Sequence, residues 1–230
     1  ACSTMAEGLA LGAALCEGGA ARNLLAMASS HFCAAERQFR TPLSYGAVRT
    51  PTAQWTATAA GCCLLQPQGE GVGIAAATFG RVQDYQVKDI NNMGAAMAPA
   101  AASTLLHYFK DTGTEPQEFD CIYTGDLGQV GSQLLRELLA AEGLLIKNHV
   151  DCGCILFDAN EQSVKSGGSG PGCCAAVLCG HILPRLRRGS QKRVLFTATG
   201  ALMSQTTFLQ KETIPAVAHL VELRAPEKEK

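Results

Sequence analysis

Hydrophobic and polar positions along this chain predict alternating helices and strands. The first segment, 3–17, has apolar residues at positions 5, 9 and 15, which is helical spacing, and Gly18-Gly19 follows it as a stop signal. Further helices are predicted over 94–110, 129–142 and 173–188, and strands over 23–29, 62–66, 72–79, 119–123, 150–157, 192–199 and 217–223. This alternation is typical of an α/β protein, and a turn at 67–71 predicts that the two strands beside it form a hairpin.

A repeat with an offset of about 170 residues relates two of these units. Helix 3–17 falls on 173–187, the Gly19 stop falls on Gly189, and the strand 22–30 falls on 192–200. Each copy has small residues where the helix starts, a glycine stop, a basic residue and then a buried strand. Two such units predict a pseudo-symmetric fold whose parallel strands are joined by long crossovers.

Cys2 is the first candidate for chemistry, because it lies where the helix 3–17 starts. Unpaired backbone N–H groups and the positive end of the helix dipole favour a thiolate there, so we expect them to lower the pKa of the thiol. A sulfur in this position is either a nucleophile or part of a pocket that receives an anion. The alternative is a small buried hydrophobic residue, which is the usual role of a free cysteine.

Composition narrows the function classes. The chain has 230 residues and is 47% hydrophobic, which is enough for the core of one or two domains. Its 19 Lys and Arg residues balance 20 Asp and Glu residues, so we expect no nucleic-acid partner, and no apolar run is long enough to span a membrane. Eleven cysteines lie mostly in apolar segments without a C-x-x-C pair, which favours a reducing compartment, structural thiols and no metal site.

Eight distinctive segments are spread over nearly the whole chain. They are ACSTMAEGLALGAALCEGG (1–19), SSHFCAAERQFRTPLSYG (29–46), RTPTAQWTATAAG (49–61), KDINNMGAAMAPAA (88–101), IYTGDLGQVG (122–131), SGGSGPGC (166–173), FTATGALMS (196–204) and QKETIPAVAH (210–219). Together they resemble the thiolase-like superfamily and, within it, the stage V sporulation protein AD family of spore-forming bacteria. The resemblance implies a thiolase-like α/β fold, with duplicated α/β halves in a five-layered α-β-α-β-α arrangement, which agrees with the repeat.

The resemblance also predicts how the chain divides. In thiolase-like proteins the cysteine that matches Cys2 lies in mid-domain, after a buried strand, so the first half is expected to be incomplete here. Residues 1–87 would be the remainder of the N-terminal half, 88–224 the C-terminal half and 225–230 a charged tail. Strands left without neighbours would expose edges and apolar surface.

Two loops that carry catalytic groups in the condensing enzymes of this superfamily differ here. Those enzymes pair the cysteine with a His and often an Asn, which activate the thiol and hold an oxyanion. The His-bearing loop matches 123–127, which holds Asp126 and no imidazole, and the Asn-bearing loop matches 166–169, where Gly168 replaces the amide. A carboxylate at Asp126 would raise the pKa of a nearby thiol, although His31 is a candidate substitute base. The resemblance therefore implies that Cys2 occupies a nucleophile position that is vestigial for Claisen condensation.

Members of the family are linked to the uptake of dipicolinic acid (pyridine-2,6-dicarboxylate), usually with calcium, so the resemblance implies a binding role. Such a flat aromatic dianion needs backbone or guanidinium donors for its carboxylates and rings for stacking. The candidate ligand-binding residues are Cys2, Ser3, Thr4, His31, Phe32, Arg37, Arg40, Trp55, Asp126 and Gly168. Alternatives stay open for several of them: Trp55 as a core residue, the two arginines as loop anchors, and the glycine-rich loop 166–172 as a site of close backbone packing.

The function expected from the resemblance is that of a non-catalytic protein that binds dipicolinic acid or its calcium complex. It would support uptake into the developing spore as a peripheral part of a membrane channel complex, either cytoplasmic or attached to the spore inner membrane. Its expected partners are the ligand and the other membrane proteins of the same sporulation channel, with a homodimer left open and no cofactor expected. The alternatives are an acyltransferase or ketoacyl-synthase-like enzyme that uses Cys2 as nucleophile, and a structural scaffold.

Overall fold

The computed structural model describes residues 1–39 and 49–227, and only the backbone of 36–39. The helices are α1 (Thr4–Glu17), α2 (Phe32–Phe39), α3 (Met93–Thr112), α4 (Gly128–Ala141), α5 (Cys152–Ile155), α6 (Pro171–Val177), α7 (Leu183–Arg187) and α8 (Gln205–Leu209). The strands are β1 (Leu24–Ser30), β2 (Trp55–Thr56), β3 (Ala59–Leu65), β4 (Gly73–Thr78), β5 (Cys121–Thr124), β6 (His149–Asp151), β7 (Gly168–Ser169), β8 (Arg193–Ala201) and β9 (Ala216–Arg224). A 3₁₀ turn covers Pro116–Glu118, and a π turn, Leu178–Ile182, joins α6 to α7.

These elements stack in four layers. A five-stranded sheet has the order β4-β9-β8-β5-β6, and α3 and α4 cover one of its faces. Helices α1 and α6 lie on the other face, and beyond them is a second sheet made of β1 and β3. The described residues thus form an α/β thiolase-like arrangement, α-β-α-β, and supply four of the five layers that the resemblance implies.

The burial pattern of β8 follows from its central position. Val194, Phe196 and Ala198 face the core shared with α1 and α6, whereas Leu195 faces the core under α3. Strand β8 pairs with β5 in parallel and with β9 antiparallel, and both its faces are covered by helices. A strand buried on both faces has an almost continuous apolar sequence, as 194–200 does.

The predicted repeat is present in the backbone. Gly19 after α1 and Gly189 after α7 have φ angles of +72° and +73°, the left-handed conformation that favours glycine. In both copies the next amide donates to the carbonyl five residues earlier, at 2.9 Å after α1 and at 3.0 Å after α7. The two helix ends therefore have the same geometry at the offset of 170 residues that the sequence predicts.

Each helix start packs against the strand end of the other copy. A Cβ atom at Gly200, in β8, would lie only 3.1 Å from the Cys2 backbone nitrogen and 3.0 Å from Ser3 Oγ. In the second copy the Gly172 amide donates to Ser30 Oγ, at the end of β1, over 3.0 Å. This reciprocal packing brings the starts of α1 and α6 to the same region of the molecule.

Two strand predictions are wrong. Strands β3 and β4 do not form a hairpin, because β3 pairs antiparallel with β1 and β4 pairs antiparallel with β9. The segment predicted as a strand over 150–157 leaves the sheet after Asp151, whose side chain accepts a hydrogen bond from the Gly153 amide at 2.9 Å and starts α5. A short polar side chain that caps the next turn diverts an otherwise apolar run from β to α structure.

Candidate functional site

A cavity of about 670 Å³ lies where the two helix starts meet. Its polar lining comes from the end of β1, the loop after β5 and the segment before α6. Its apolar lining comes from the start of α3 and the segment after β8. The lining includes Cys2, Ser30, His31, Thr56, Asp126, Ser169, Gly170, Met93, Met97, Leu202 and Met203.

Cys2 is partly buried and lies immediately before Ser3, the N-cap residue of α1. Its thiol and the carboxyl group of Asp126 line the same cavity and interact electrostatically. Burial, and then the negative charge of Asp126, raise the pKa of Cys2 well above its usual value. The prediction that the helix start lowers this pKa is therefore wrong, since burial and the carboxylate outweigh the backbone dipole. The thiol is protonated at neutral pH.

Asp126 is fully buried at the end of β5 and is held by both neighbouring layers. Thr199 Oγ1, on β8, donates to Asp126 Oδ1 at 2.7 Å, and the Gly170 amide, before α6, donates to Oδ2 at 3.1 Å. Although these hydrogen bonds favour the charged form, burial dominates and raises the pKa of Asp126 to about 7. This carboxyl group therefore exchanges its proton near neutral pH.

A second buried carboxyl, Asp151, supports the loop that carries Asp126. It accepts hydrogen bonds from the amides of Leu127 and Gly128, each at 2.9 Å, and from Thr124 Oγ1 at 2.6 Å. Burial raises its pKa to about 6. Asp151 was not among the predicted site residues, because the apolar pattern of 150–157 predicts a strand, although an Asp before small and apolar residues is also a helix start signal.

The backbone at Gly170 is shaped for close packing at the cavity wall. Its φ is +100°, and a Cβ atom there would lie 2.8 Å from Ser30 Oγ. The Ser30 hydroxyl is itself engaged, since it donates to the Ala57 carbonyl at 2.7 Å. A side chain at position 170 would thus meet both backbone strain and a steric conflict, so the glycine-rich loop has a packing role at this point.

The described part of the chain holds all five histidines, and none of their imidazoles hydrogen-bonds to the Cys2 thiol. His31 lines the same cavity and is exposed to solvent. His149 instead contacts Thr124 Oγ1 at 2.8 Å, and burial lowers its pKa to about 4.

The other predicted ligand-binding residues lie apart from the cavity lining. Ser3 is buried and Thr4 is exposed on α1. Gly168 pairs with Trp55 between the short parallel strands β2 and β7, and the Trp55 ring stacks on Phe32 with 4.7 Å between centroids. The guanidinium carbon of Arg49 lies 4.4 Å from the Trp55 ring centre, so these groups form a stacked cluster beside the cavity. The Arg37 side chain and Arg40 lie outside the described residues.

The apolar lining was missed because no single residue of it carries a chemical signal. Met93 and Met97 project from the start of α3, where the Asn92 side chain accepts from the Ala95 amide at 3.2 Å. Leu202 and Met203 follow β8. Both groups fall within segments that carry the family resemblance, 88–101 and 196–204, which is the one signal that points to them.

Two negative findings apply to residues 1–39 and 49–227. No three or more His, Cys, Asp or Glu side chains in these ranges are arranged to hold a metal ion. Nor does any helix there combine the length and apolar character needed to cross a membrane.

Sequence comparison places residues 1–224 under the family model described as stage V sporulation protein AD (SpoVAD). The chain is 44% identical over 220 residues to the stage V sporulation protein AD of Bacillus subtilis (strain 168). The match covers 95% of this chain and 65% of that relative, so the chain spans just under two thirds of the relative's length.

Two solved structures that share the fold are 3-oxoacyl-(acyl-carrier-protein) synthases of low sequence identity to this chain. The 3-oxoacyl-[acyl-carrier-protein] synthase III of Aquifex aeolicus VF5 has a TM-score of 0.56 and 13% identity, over 97% of this chain and 64% of that one. The corresponding enzyme of Pseudomonas aeruginosa PAO1 has a TM-score of 0.57 and 14% identity, over 98% and 66%. At this identity the likeness establishes the thiolase-like fold and nothing about activity.

Proposed function

This chain belongs to the stage V sporulation protein AD family, and from that premise we propose that it is a non-catalytic thiolase-fold protein that binds dipicolinic acid as its calcium complex. In this proposal the former acyl-transfer cavity serves as the binding site. The ligand is a flat aromatic ring with two carboxylates, and the cavity of about 670 Å³ is within the size range of small-molecule sites.

The observation that carries the proposal is the surroundings of the Cys2 thiol. Burial, and then the negative charge of the Asp126 carboxyl group in the same cavity, keep the thiol protonated, whereas nucleophilic attack requires a thiolate. An acyl-transferring cysteine needs a base or a positive charge beside it, and Asp126 supplies the opposite charge. The arrangement favours a cavity that holds a ligand over one that forms an acyl-enzyme.

Asp126 also explains why calcium is part of the proposal. A carboxylate in the cavity wall repels a dianion, and the repulsion is relieved either by a cation between them or by a proton on Asp126. Calcium prefers several oxygen ligands, and the carboxylates of dipicolinate and of Asp126 are of that kind. With a pKa of about 7, Asp126 is also able to take up the proton.

The wider role follows from the same family membership and is part of the proposal. The protein would support dipicolinate uptake into the developing spore, from the cytoplasm or from the surface of the spore inner membrane. Its partners would be the membrane proteins of the channel, and self-association as a homodimer is a further arrangement to test. Each of these depends on ligand binding, which is therefore tested first.

Isothermal titration with dipicolinate, in calcium and in chelator, tests the binding site. We expect saturable heat that is stronger with calcium, and a weaker response to pyridine-2-carboxylate, which lacks one carboxylate. The variant Ala34→Phe, which adds a ring at a cavity-lining position of α2, should weaken binding at least about tenfold, a loss of about 1.4 kcal/mol. Ala14→Phe, on the exposed surface of α1, is the matched control. Absence of heat in both buffers would remove the proposal.

His31 favours a second candidate function, an acyltransferase with Cys2 as the nucleophile. This imidazole lines the same cavity as the thiol, so a shift of α2 toward α1 would bring a base to it. Mass spectrometry after incubation with a panel of acyl-CoA thioesters discriminates between the two candidates. An adduct on Cys2 that is lost in Cys2→Ala and reduced in His31→Ala would establish the enzyme. An unmodified Cys2 would leave the binding role.

A further inference from the structure

A widened helical turn places a cysteine against the second sheet. Helix α6 continues through the π turn into α7, where the Leu183 amide donates to the Leu178 carbonyl, five residues earlier. Pro184 has no N–H, and in a regular α-helix its ring would collide with the carbonyl of Gly180. The π turn accommodates this proline, and Cys179 lies within it.

Cys179 faces Cys63, on β3. The two Sγ atoms are 3.8 Å apart and share a hydrogen bond, and both residues are partly buried. Alternation along β3 turns Cys63 toward the helices and leaves Cys62 exposed on the outer face of the sheet. All eleven cysteines lie in the described chain, and in it no other two sulfur atoms hydrogen-bond to each other.

The surroundings of the two sulfur atoms shift the pKa values of Cys63 and Cys179 in opposite directions. The hydrogen bond between the two sulfurs lowers the pKa of Cys179, and the positive charge of Arg187 acts in the same direction. The same hydrogen bond raises the pKa of Cys63. Of the two thiols, Cys179 therefore loses its proton more readily. As a thiol, Cys179 donates to the Cys62 carbonyl oxygen over 3.6 Å.

We propose that Cys63 and Cys179 form a reversible disulfide, which makes this pair a redox modification site distinct from Cys2 and its cavity. The juxtaposed sulfurs need to approach by less than 2 Å to reach bonding distance, roughly 2.05 Å. Segments far apart in sequence would then be joined covalently, the outer sheet on one side and the α6–α7 helix on the other. The start of that helix borders the ligand cavity at Gly170 and Pro171.

The oxidant in this proposal is a low-molecular-weight disulfide. Cys179 loses its proton to solvent, and the resulting thiolate attacks one sulfur atom of the small disulfide. The first small thiolate leaves and takes up a proton, and a mixed disulfide remains on Cys179. The Cys63 thiol loses its proton to solvent, attacks the Cys179 sulfur and releases the second small thiol. The protein loses two electrons and two protons, and the small disulfide becomes two thiols.

Peptide mapping after incubation with oxidised glutathione tests this directly. Trypsin places Cys62 and Cys63 in the peptide 50–81 and Cys179 in the peptide 166–185. Wild type should give these two peptides disulfide-linked, and the linkage should vanish with reductant. The oxidised protein should unfold at a temperature about 5–15 °C higher than the reduced protein, because the crosslink closes a long loop.

Three variants assign the sulfurs. Cys62→Ser should keep the linked peptides, as the matched control on the outer face of β3. Cys63→Ser should instead accumulate glutathione on Cys179, since the resolving thiol is gone, and should lose the thermal shift. Cys179→Ser should show neither the link nor that adduct. The proposal is overturned if wild type keeps glutathione on Cys179, if linkage persists in Cys63→Ser, or if it is lost in Cys62→Ser.

Discussion

At the residue scale, the environment of Asp126 controls the chemistry of the cavity. A group with a folded-state pKa of about 7 and an ordinary value of 3.8 keeps its proton in the folded protein where the unfolded chain has lost it. Between about pH 4 and pH 7, the folded state therefore binds more protons than the unfolded state. The contribution of Asp126 to the free energy of unfolding is largest in acid and falls as the pH rises through 7.

The variant Asp126→Asn should flatten this pH dependence. Urea unfolding at pH 5 and pH 8 should show that wild type loses about 2 kcal/mol more of its unfolding free energy than the variant does, by linkage. Asn cannot ionise, so it removes the titration while keeping the size of the side chain. Asp111→Asn, at an exposed position near the end of α3, should keep the wild-type slope. Equal slopes in wild type and Asp126→Asn would show that Asp126 does not titrate in this range.

At the element scale, the two copies of the repeat end their helices in the same way, and they should respond in the same way to substitution. Gly19→Ala and Gly189→Ala each force an L side chain into a left-handed conformation, yet no atom lies within 4 Å of either new Cβ. Each should therefore lower the free energy of unfolding by about 1 kcal/mol through backbone strain alone. Urea denaturation measures both changes.

Gly69→Ala is the control for that pair. It also has open space around the new Cβ but lacks the left-handed backbone, so its unfolding free energy should stay the same or rise slightly. If only Gly19→Ala or only Gly189→Ala lowered the free energy of unfolding strongly, the same backbone geometry would not have the same energetic effect in the two copies.

A buried carboxylate joins α3 to the five-stranded sheet. Glu222, on β9, accepts from Arg193 Nε at 2.8 Å and from Arg224 Nε at 2.6 Å, and it is also bonded to the Tyr108 hydroxyl of α3. Burial opposes the charge, but these donors prevail and lower the pKa of Glu222 to about 2, from an ordinary 4.5. The stabilisation is complete above pH 4.5 and is lost as the pH falls toward 2.

Glu222→Gln should therefore make the protein less sensitive to acid, although it is less stable at neutral pH. Between pH 6 and pH 3, wild type should lose about 1–2 kcal/mol more unfolding free energy than the variant. Thermal or urea unfolding at the two pH values gives the difference. Glu70→Gln, in an exposed loop, should behave as wild type. A wild-type acid response in Glu222→Gln would place the acid-sensitive group elsewhere.

At the scale of the whole molecule, the elements that depend on residues close in sequence were predictable, and the pairing of segments distant in sequence was not. Helix α1 and the glycine stops follow from spacing and backbone chemistry within a few residues. The pairing of β4 with β9 is a choice between distant partners, and a short turn does not specify it. The cavity has the same origin, since Cys2 and Asp126 come together only when α1 packs against the five-stranded sheet. A dipole argument at Cys2 fails for this reason, because that packing buries the thiol and brings a carboxylate to it from another layer.

The outer face of the second sheet, made of β1 and β3, carries exposed apolar side chains. Leu25, Met27 and Leu64 point away from α1 and α6 and are 60%, 66% and 59% exposed. Leu25 and Leu64 are directly paired across the strands, so their side chains form one apolar surface and not scattered contacts. A contiguous surface of this kind is unusual on a soluble monomer and should bind a hydrophobic dye.

The double variant Met27→Thr, Leu64→Thr should reduce the fluorescence of bound anilinonaphthalene sulfonate by about half, since it removes much of that surface. Thr suits a strand, and neither side chain contributes to the core, so the free energy of unfolding should change by less than about 0.5 kcal/mol for each substitution. Leu209→Thr, at an exposed position at the end of α8 and outside the second sheet, should leave the fluorescence unchanged. If all three substitutions lowered the signal equally, the dye would be reporting single side chains. If the double variant unfolded at much lower urea concentration, the two residues would belong to the core and the sheet would not have an open face.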